Sequence, residues 1–134
     1  MSERLPRPAS IRRPKAAWRQ TKGGQAFKSG HAAEWTAVAL LMIKGYQILG
    51  FRLKARGGEI DILARRGRVL AVVEVKRRST VQAAIEALKP AQRQRLAAAG
   101  EAVRRNRPAL QALDLRIDIV ALAPGRFPRH VRGV

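Results

Sequence analysis

Only nine of the 134 residues are acidic, against 28 lysines and arginines, so where the acids stand is informative. Three of them, Glu59, Asp61 and Glu74, fall on two neighbouring segments that read as β-strands, between strongly basic flanks. Glu59 and Asp61 are two residues apart and so face the same side of a strand, as do Glu74 and Lys76 on the next. A hairpin through Arg65–Arg68 lays the two strands side by side. A register that sets Asp61 near Glu74 then makes a carboxylate pair with a lysine beside it. Two carboxylates held together repel unless one takes a proton or a cation intervenes. A hard divalent ion with oxygen ligands, Mg²⁺ or Mn²⁺, suits that position. Such an ion polarises a phosphoryl oxygen and lowers the pKa of a bound water. Lys76 is then placed to position that water and to stabilise charge on a phosphorane-like transition state. The pattern therefore points to metal-dependent phosphodiester hydrolysis.

The plainer alternative is a pair of surface strands with alternating polar residues, in which Glu74 and Lys76 form an ordinary ion pair. A bare Glu-x-Lys is common. Against that reading, Glu74 interrupts the apolar run Val72, Val73, Val75, and Asp61 interrupts Ile60 and Ile62. Charges in apolar runs are costly unless they are paired or used.

The elements that must position these residues follow from periodicity. From Ser29, Ala33, Ala37, Leu40 and Leu41 recur at helical spacing, and Gly45 gives a stop signal. Tyr46–Leu53 alternates as a half-buried strand, and Ile60, Ile62 and Leu63 mark a second. Val69–Lys76 is nearly continuously apolar and reads as a central strand. Ser79-Thr80-Val81-Gln82 fits a capping box with Ser79 as N-cap. Pro90 breaks the helix that follows and starts another, whose stripe is Gln92, Leu96, Ala99 and Val103. Leu115, Ile117, Ile119 and Ala121 alternate as a last strand. The expected order is α-β-β-β-α-α-β, an α/β fold with helices flanking a mixed central sheet.

Three regions result. Residues 1–28 carry eight bases and one acid, a net +7, and read as a disordered basic arm with Trp18 and Phe27 as docking points. Residues 29–123 form the compact domain, and 124–134 a basic C-terminal tail. The whole chain has a formal charge of +19, which favours phosphate backbones and disfavours polycations. It contains no cysteine, which excludes a disulfide framework, a thiolate zinc site and a cysteine nucleophile. No apolar run approaches the roughly 18 residues that span a membrane. A cytoplasmic location without a membrane partner is the expectation.

The residues also resemble a known family. Gly58-Glu59-Ile60-Asp61-Ile62-Leu63 followed by Val73-Glu74-Val75-Lys76-Arg77-Arg78 is similar to the YraN-like family of endonuclease-like proteins. The likeness runs over about residues 29–122 and takes in Gly30-His31-Ala32-Ala33-Glu34, Gly45-Tyr46, Arg52, Lys89 and Arg116-Ile117-Asp118. It implies a restriction-endonuclease-like (PD-(D/E)XK) fold, similar to archaeal Holliday junction resolvases. It implies Asp61, Glu74 and Lys76 as the nuclease core, with Glu34 as a helix-borne acid that completes metal binding. Glu34 aligns with Val38 and Leu41 on the inward face of the first helix, which agrees. Glu59 lies in the same stretch of the resemblance, with an ion pair to Arg52 or Arg56 as its alternative. Gly50 stands where relatives often carry Asn.

Arg77 and Arg78 read as phosphate clamps or a solvated edge. Lys89 either reaches phosphate or ends a solvated helix. A lone His31 near a helix start reads as a surface or capping residue. The expected activity is Mg²⁺-dependent cleavage of DNA, including branched or recombining DNA, by a chain that fold analogy makes a homodimer. The alternatives are a nucleic-acid-binding module that does not cut and a basic ribosome- or RNA-associated protein.

Overall fold

In the computed structural model residues 25–134 are described, with side chains from Ala32 onward. Residues 33–134 form one compact unit, which holds the sheet. Residues 1–24 of the basic arm lie outside the described residues, as does the His31 side chain, but residues 25–28 are helical rather than disordered, because α1 begins at Gln25 and not at Ser29.

Helix α1 (Gln25–Ile43) ends where Gly45 adopts φ +92°. The Tyr46 amide donates to the Leu41 carbonyl and the Gly45 amide to that of Met42. This is the paired closure in which a left-handed glycine satisfies the last carbonyls of a helix. The chain then builds β1 (Gln47–Ala55), β2 (Gly58–Arg66) and β3 (Val69–Arg77) as antiparallel neighbours. Helices α2 (Val81–Glu86) and α3 (Pro90–Asn106) cross back to β4 (Asp114–Leu122), which runs parallel to β3. A crossover of this kind is what a parallel neighbour requires. The sheet is five-stranded in the order β1-β2-β3-β4-β5, so β3 is central, as its apolar run predicts.

Two expectations are corrected. Thr80, not Ser79, caps α2: its hydroxyl accepts from the Ala83 amide at 3.0 Å, and Gln82 turns to Glu86 instead. Residues 124–134 are more than a tail. They carry β5 (Arg129–Val131), antiparallel to β4, and Val134 is held by its amide on the Ile117 carbonyl and its carbonyl on the Arg93 side chain.

The sheet buries both faces. On one, Ala37, Val38 and Leu41 of α1 pack with Ile62, Ala64, Ala71, Val73 and Val120. On the other, Leu96, Ala99 and Val103 of α3 pack with Ile60, Leu63, Leu70 and Val72. Gly100 permits the close approach of α3: a Cβ there would lie 2.6 Å from Val72 Cγ2. The helix forgoes about 1 kcal/mol of propensity at that position to sit down on the sheet.

Asp118 is fully buried on the α1 face, and it is well satisfied. Arg116 donates to both of its oxygens at 2.8 Å, and Gly133 N donates at 3.0 Å. His130 Nε2 stands 2.8 Å from Asp118 Oδ2, and because a carboxylate only accepts, that nitrogen is the donor. Nδ1 of His130 then accepts from Lys44 Nζ, and Arg116 also reaches the Tyr46 hydroxyl. Burial works against ionisation of Asp118, but the bonds from His130, Arg116 and Gly133 outweigh it and hold its pKa at about 2, below the ordinary 3.8. This cluster ties the start of β1 and strand β5 to β4.

Removing the carboxylate strands a partly buried guanidinium. Asp118→Ala is expected to lower folding stability by about 3–5 kcal/mol, read from urea unfolding at pH 7. Because the folded pKa is depressed, this contribution is present above the ordinary carboxylate range and is lost as pH falls through about 2. A loss no larger than that of a surface substitution would remove Asp118 from this role.

Candidate active site

The antiparallel ladder between β2 and β3 runs from Arg66–Val69 to Ile62–Val73 and stops there. One more step would pair Asp61 with Glu74. Instead, the Asp61 side chain takes over, and its Oδ2 accepts the Val75 amide at 2.9 Å. A carboxylate has replaced a backbone carbonyl, and the strands part around it.

The same place is irregular from the other side. Ile60 packs with the α3 cluster, whereas Ile62 packs with the α1 cluster. Regular alternation would put both on one face. On β1, Phe51 pairs with Ile62 and Leu53 with Ile60, and the residue between them, Arg52, has φ +52°. A non-glycine residue in the left-handed region is uncommon and often marks a functional position. Both strands roll over at the level of Asp61, which brings its carboxylate to the α3 side.

Glu74 lies on that side also. Its Oε2 accepts from Gln92 Nε2 at 3.0 Å and pairs with Lys76 Nζ at 3.3 Å, while Lys76 donates to Gln92 Oε1 at 3.3 Å. Glu74, Lys76 and Gln92 thus form a closed triangle, with the acid and the lysine each largely buried. Pro90 at the first turn of α3 starts the helix so that Gln92 meets the strand. A cleft of about 240 Å³ is lined by Gly58, Glu59, Asp61, Glu74, Gln92, Arg95 and Leu96.

Asp61 is pushed up from 3.8 to about 7. Burial is the largest cause and the Glu74 charge the next; the Val75 hydrogen bond opposes them, and Glu34 and Glu59 add to the rise. The electrostatic conflict expected of a carboxylate pair is therefore present. Asp61 Oδ1 and Glu74 Oε1 take no part in the bonds described above. Two cleft-lining carboxylates, each with one oxygen outside these bonds, suit Mg²⁺, which binds through one or two carboxylates and keeps several waters.

The sequence-predicted residues divide as follows. Asp61, Glu74 and Lys76 come together, and Glu59 lines the same cleft. Glu34 is close enough to act on Asp61, but its Oε1 is held by Arg52 Nη1 at 3.1 Å. Among the described residues no group of three or more His, Cys, Asp or Glu side chains could hold a metal ion. Arg77, Arg78 and Lys89 are exposed outside the cleft lining, and Arg78 turns back onto the Arg77 carbonyl. Gln92 and Arg95 were not singled out as site residues. Gln92 shares a helix stripe with Leu96, Ala99 and Val103, and its polarity at that core-facing position is the signal the sequence offers.

Comparison with known proteins follows the same span. The model of a family described as uncharacterised protein family UPF0102 matches residues 33–122. A UPF0102 protein of Caulobacter vibrioides (strain NA1000 / CB15N) is 53% identical over 116 residues, covering 87% of this chain and 93% of the relative. One from Parvibaculum lavamentivorans is 49% identical, covering 81% and 82%, and one from Sinorhizobium medicae is 45% identical, covering 80% and 88%. Among the described residues no helix is long and apolar enough to cross a membrane.

The raised Asp61 pKa has a defined consequence for stability. A folded pKa above the unfolded one contributes stability that is present below the ordinary carboxylate range and is lost as pH rises through about 7. Asp61→Asn keeps an acceptor for Val75 but never ionises. In EDTA, its stability relative to the wild type is expected to rise from pH 4 to pH 8, and added Mg²⁺ to narrow the gap at pH 8. Urea midpoints across that range test it; a gap independent of pH would contradict the raised acid.

Proposed function

Because the chain belongs to uncharacterised protein family UPF0102, the YraN family, its activity has to be argued from its own site, and we propose that it is a metal-dependent nuclease that hydrolyses phosphodiester bonds in DNA. The observation that carries this reading is the parting of β2 and β3 around Asp61 and Glu74, with Lys76 at 3.3 Å from Glu74. We read the arrangement as a PD-(D/E)XK site, with Asp61 on one strand and Glu74-x-Lys76 on the next. Asp61 and Glu74 would hold Mg²⁺ or Mn²⁺. When bound, the ion supplies Lewis acidity toward a phosphoryl oxygen and acidifies water.

The protein's own groups do the rest. Gln92 fixes the Glu74 carboxylate, which lines the cleft, by donating to Oε2 and leaving Oε1 out of that bond. Lys76 places an ammonium where negative charge develops on the phosphoryl group, in a largely dry position where that charge counts for more. Arg95, exposed on the cleft wall, offers a planar donor fork to a phosphate. The excess of basic residues draws a polyanion to the protein before any of this occurs. The reading places the protein in the cytoplasm with DNA as its partner.

A second reading, nucleic-acid binding without cleavage, draws on one observation: Glu34 is occupied by Arg52 rather than joined to the acid pair. A single assay separates the two. Four-way junction, flap, single-stranded and duplex DNA are incubated with Mg²⁺ or Mn²⁺ and the wild type, Asp61→Asn, Glu74→Gln or Lys76→Met. Cleavage is expected with the wild type and a fall of at least about 100-fold in each variant. Salt-sensitive binding with no turnover under either metal would favour the second reading, and undiminished cleavage in all three variants would overturn the first.

A further inference from the structure

Trp35 is 59% exposed, one of four large hydrophobic residues left in solvent among the described residues. It is not loose. Its ring stacks on Phe51, with centroids 5.0 Å apart and planes inclined by 25°. Phe51 is itself fixed, since it pairs with Ile62 across the sheet and packs against the α1 cluster. One step along each chain, Glu34 and Arg52 form their ion pair at 3.1 Å. Helix α1 and strand β1 are thus joined twice, side by side, and the indole is held flat on one face with much of its surface in water.

The position matters as much as the exposure. Ile62, the partner of Phe51, directly follows Asp61. Glu34, the neighbour of Trp35, acts electrostatically on Asp61. The aromatic platform therefore stands at the level of Asp61 on the α1 face of the sheet, carried by α1 and by β1, the strand that pairs with the one bearing Asp61. An aromatic ring backed on one side, open on the other and set in a strongly cationic protein matches how unpaired bases are bound. The phosphates are drawn by charge and the bases stack on the rings. Bases inside a continuous duplex already stack on one another and cannot use such a surface.

Resting on the nuclease reading of the neighbouring site, we propose that Trp35 is a stacking platform for an unpaired nucleobase, so that the strand delivered to Asp61 and Glu74 is single-stranded rather than part of an uninterrupted duplex. The contact is made by the π-face, so it selects unpaired over paired bases without selecting among base identities.

The test uses the full chain in EDTA, where binding is read without cleavage. Trp18→Phe leaves Trp35 as the sole indole and serves as the background. Oligothymidylate is expected to quench its fluorescence, and a duplex of equal length is not. Trp35→Ala and Trp35→Leu should each weaken oligothymidylate binding about 5- to 150-fold and leave duplex binding nearly unchanged. Trp35→Phe, which keeps a π-face, should restore most of the loss. Equal weakening of both DNAs, no weakening of either, or full binding by the leucine variant would overturn the proposal. So would a change of oligomeric state with Trp35→Ala that accounts for the lost binding, since the indole would then serve a second copy of the chain. The nuclease reading fails separately: selective single-strand binding through Trp35, with cleavage that Asp61→Asn leaves intact, would refute that reading and keep this one.

Discussion

The constraint on which the site depends is the hydrogen bond from the Val75 amide to the Asp61 side chain. A backbone amide in a central strand must find an acceptor, and in an unbroken ladder the acceptor is a carbonyl of the next strand. Supplying a carboxylate instead satisfies the amide and lets β2 leave the ladder beyond Ile62. The other irregularities fall in line with that departure. Arg52 takes a left-handed conformation between the residues that pair with Ile60 and Ile62, and the side chains on both strands change faces there. From Ile62–Val73 to Arg66–Val69 the β2–β3 ladder is unbroken, so the opening between these two strands is confined to one end.

The protein answers the same problem, a buried carboxylate, in two opposite ways on the two faces of its sheet. Asp118 on the α1 face is surrounded by donors: a guanidinium, an imidazole N–H and a backbone amide. They overcome the cost of burial and keep it ionised. Asp61 receives one backbone donor and faces another carboxylate. There the cost of burial stands, and its pKa rises instead. Burial alone does not separate structural from functional acids. The count of donors does, and an under-supplied acid beside a second acid in a cleft is the arrangement that invites a cation or a proton.

How far the sequence could be read follows from the range of the forces involved. The three antiparallel strands, the glycine stop at Gly45, the helix start at Pro90 and the central rank of β3 all rest on local geometry and apolar runs, and they emerge as read. The choice of Thr80 over Ser79 as cap turns on the backbone angles of one residue, which two adjacent hydroxyl residues leave undecided in sequence. Strand β5 has three residues and almost no apolar pattern; it exists because β4 offers an edge and His130 has Asp118 to bind. The buried cluster at Asp118 has no local signature, since its partners Arg116, His130 and Gly133 converge only in the fold. Within the site, Asp61, Glu74 and Lys76 were legible because charge in an apolar run is conspicuous. Gln92 was not, because its purpose is defined by a strand that it meets across the crossover.

The net charge of +19 has less influence on the acid pair than its size suggests. If the summed positive field governed the site, Asp61 would be held ionised, with its pKa below the ordinary range. It is raised to about 7. The causes are all local: removal from water and three nearby carboxylates, of which Glu74 is the strongest. Lys76, the cation paired with Glu74, is committed to Glu74 and Gln92. Exposed arginines more than about 8 Å away are screened at physiological ionic strength. Their field acts outward, on a polyanion approaching through solvent, where many weak attractions add. The basic surface and the acidic cleft are therefore independent devices. One sets what comes near, and the other sets what a cation could be held to do when it arrives.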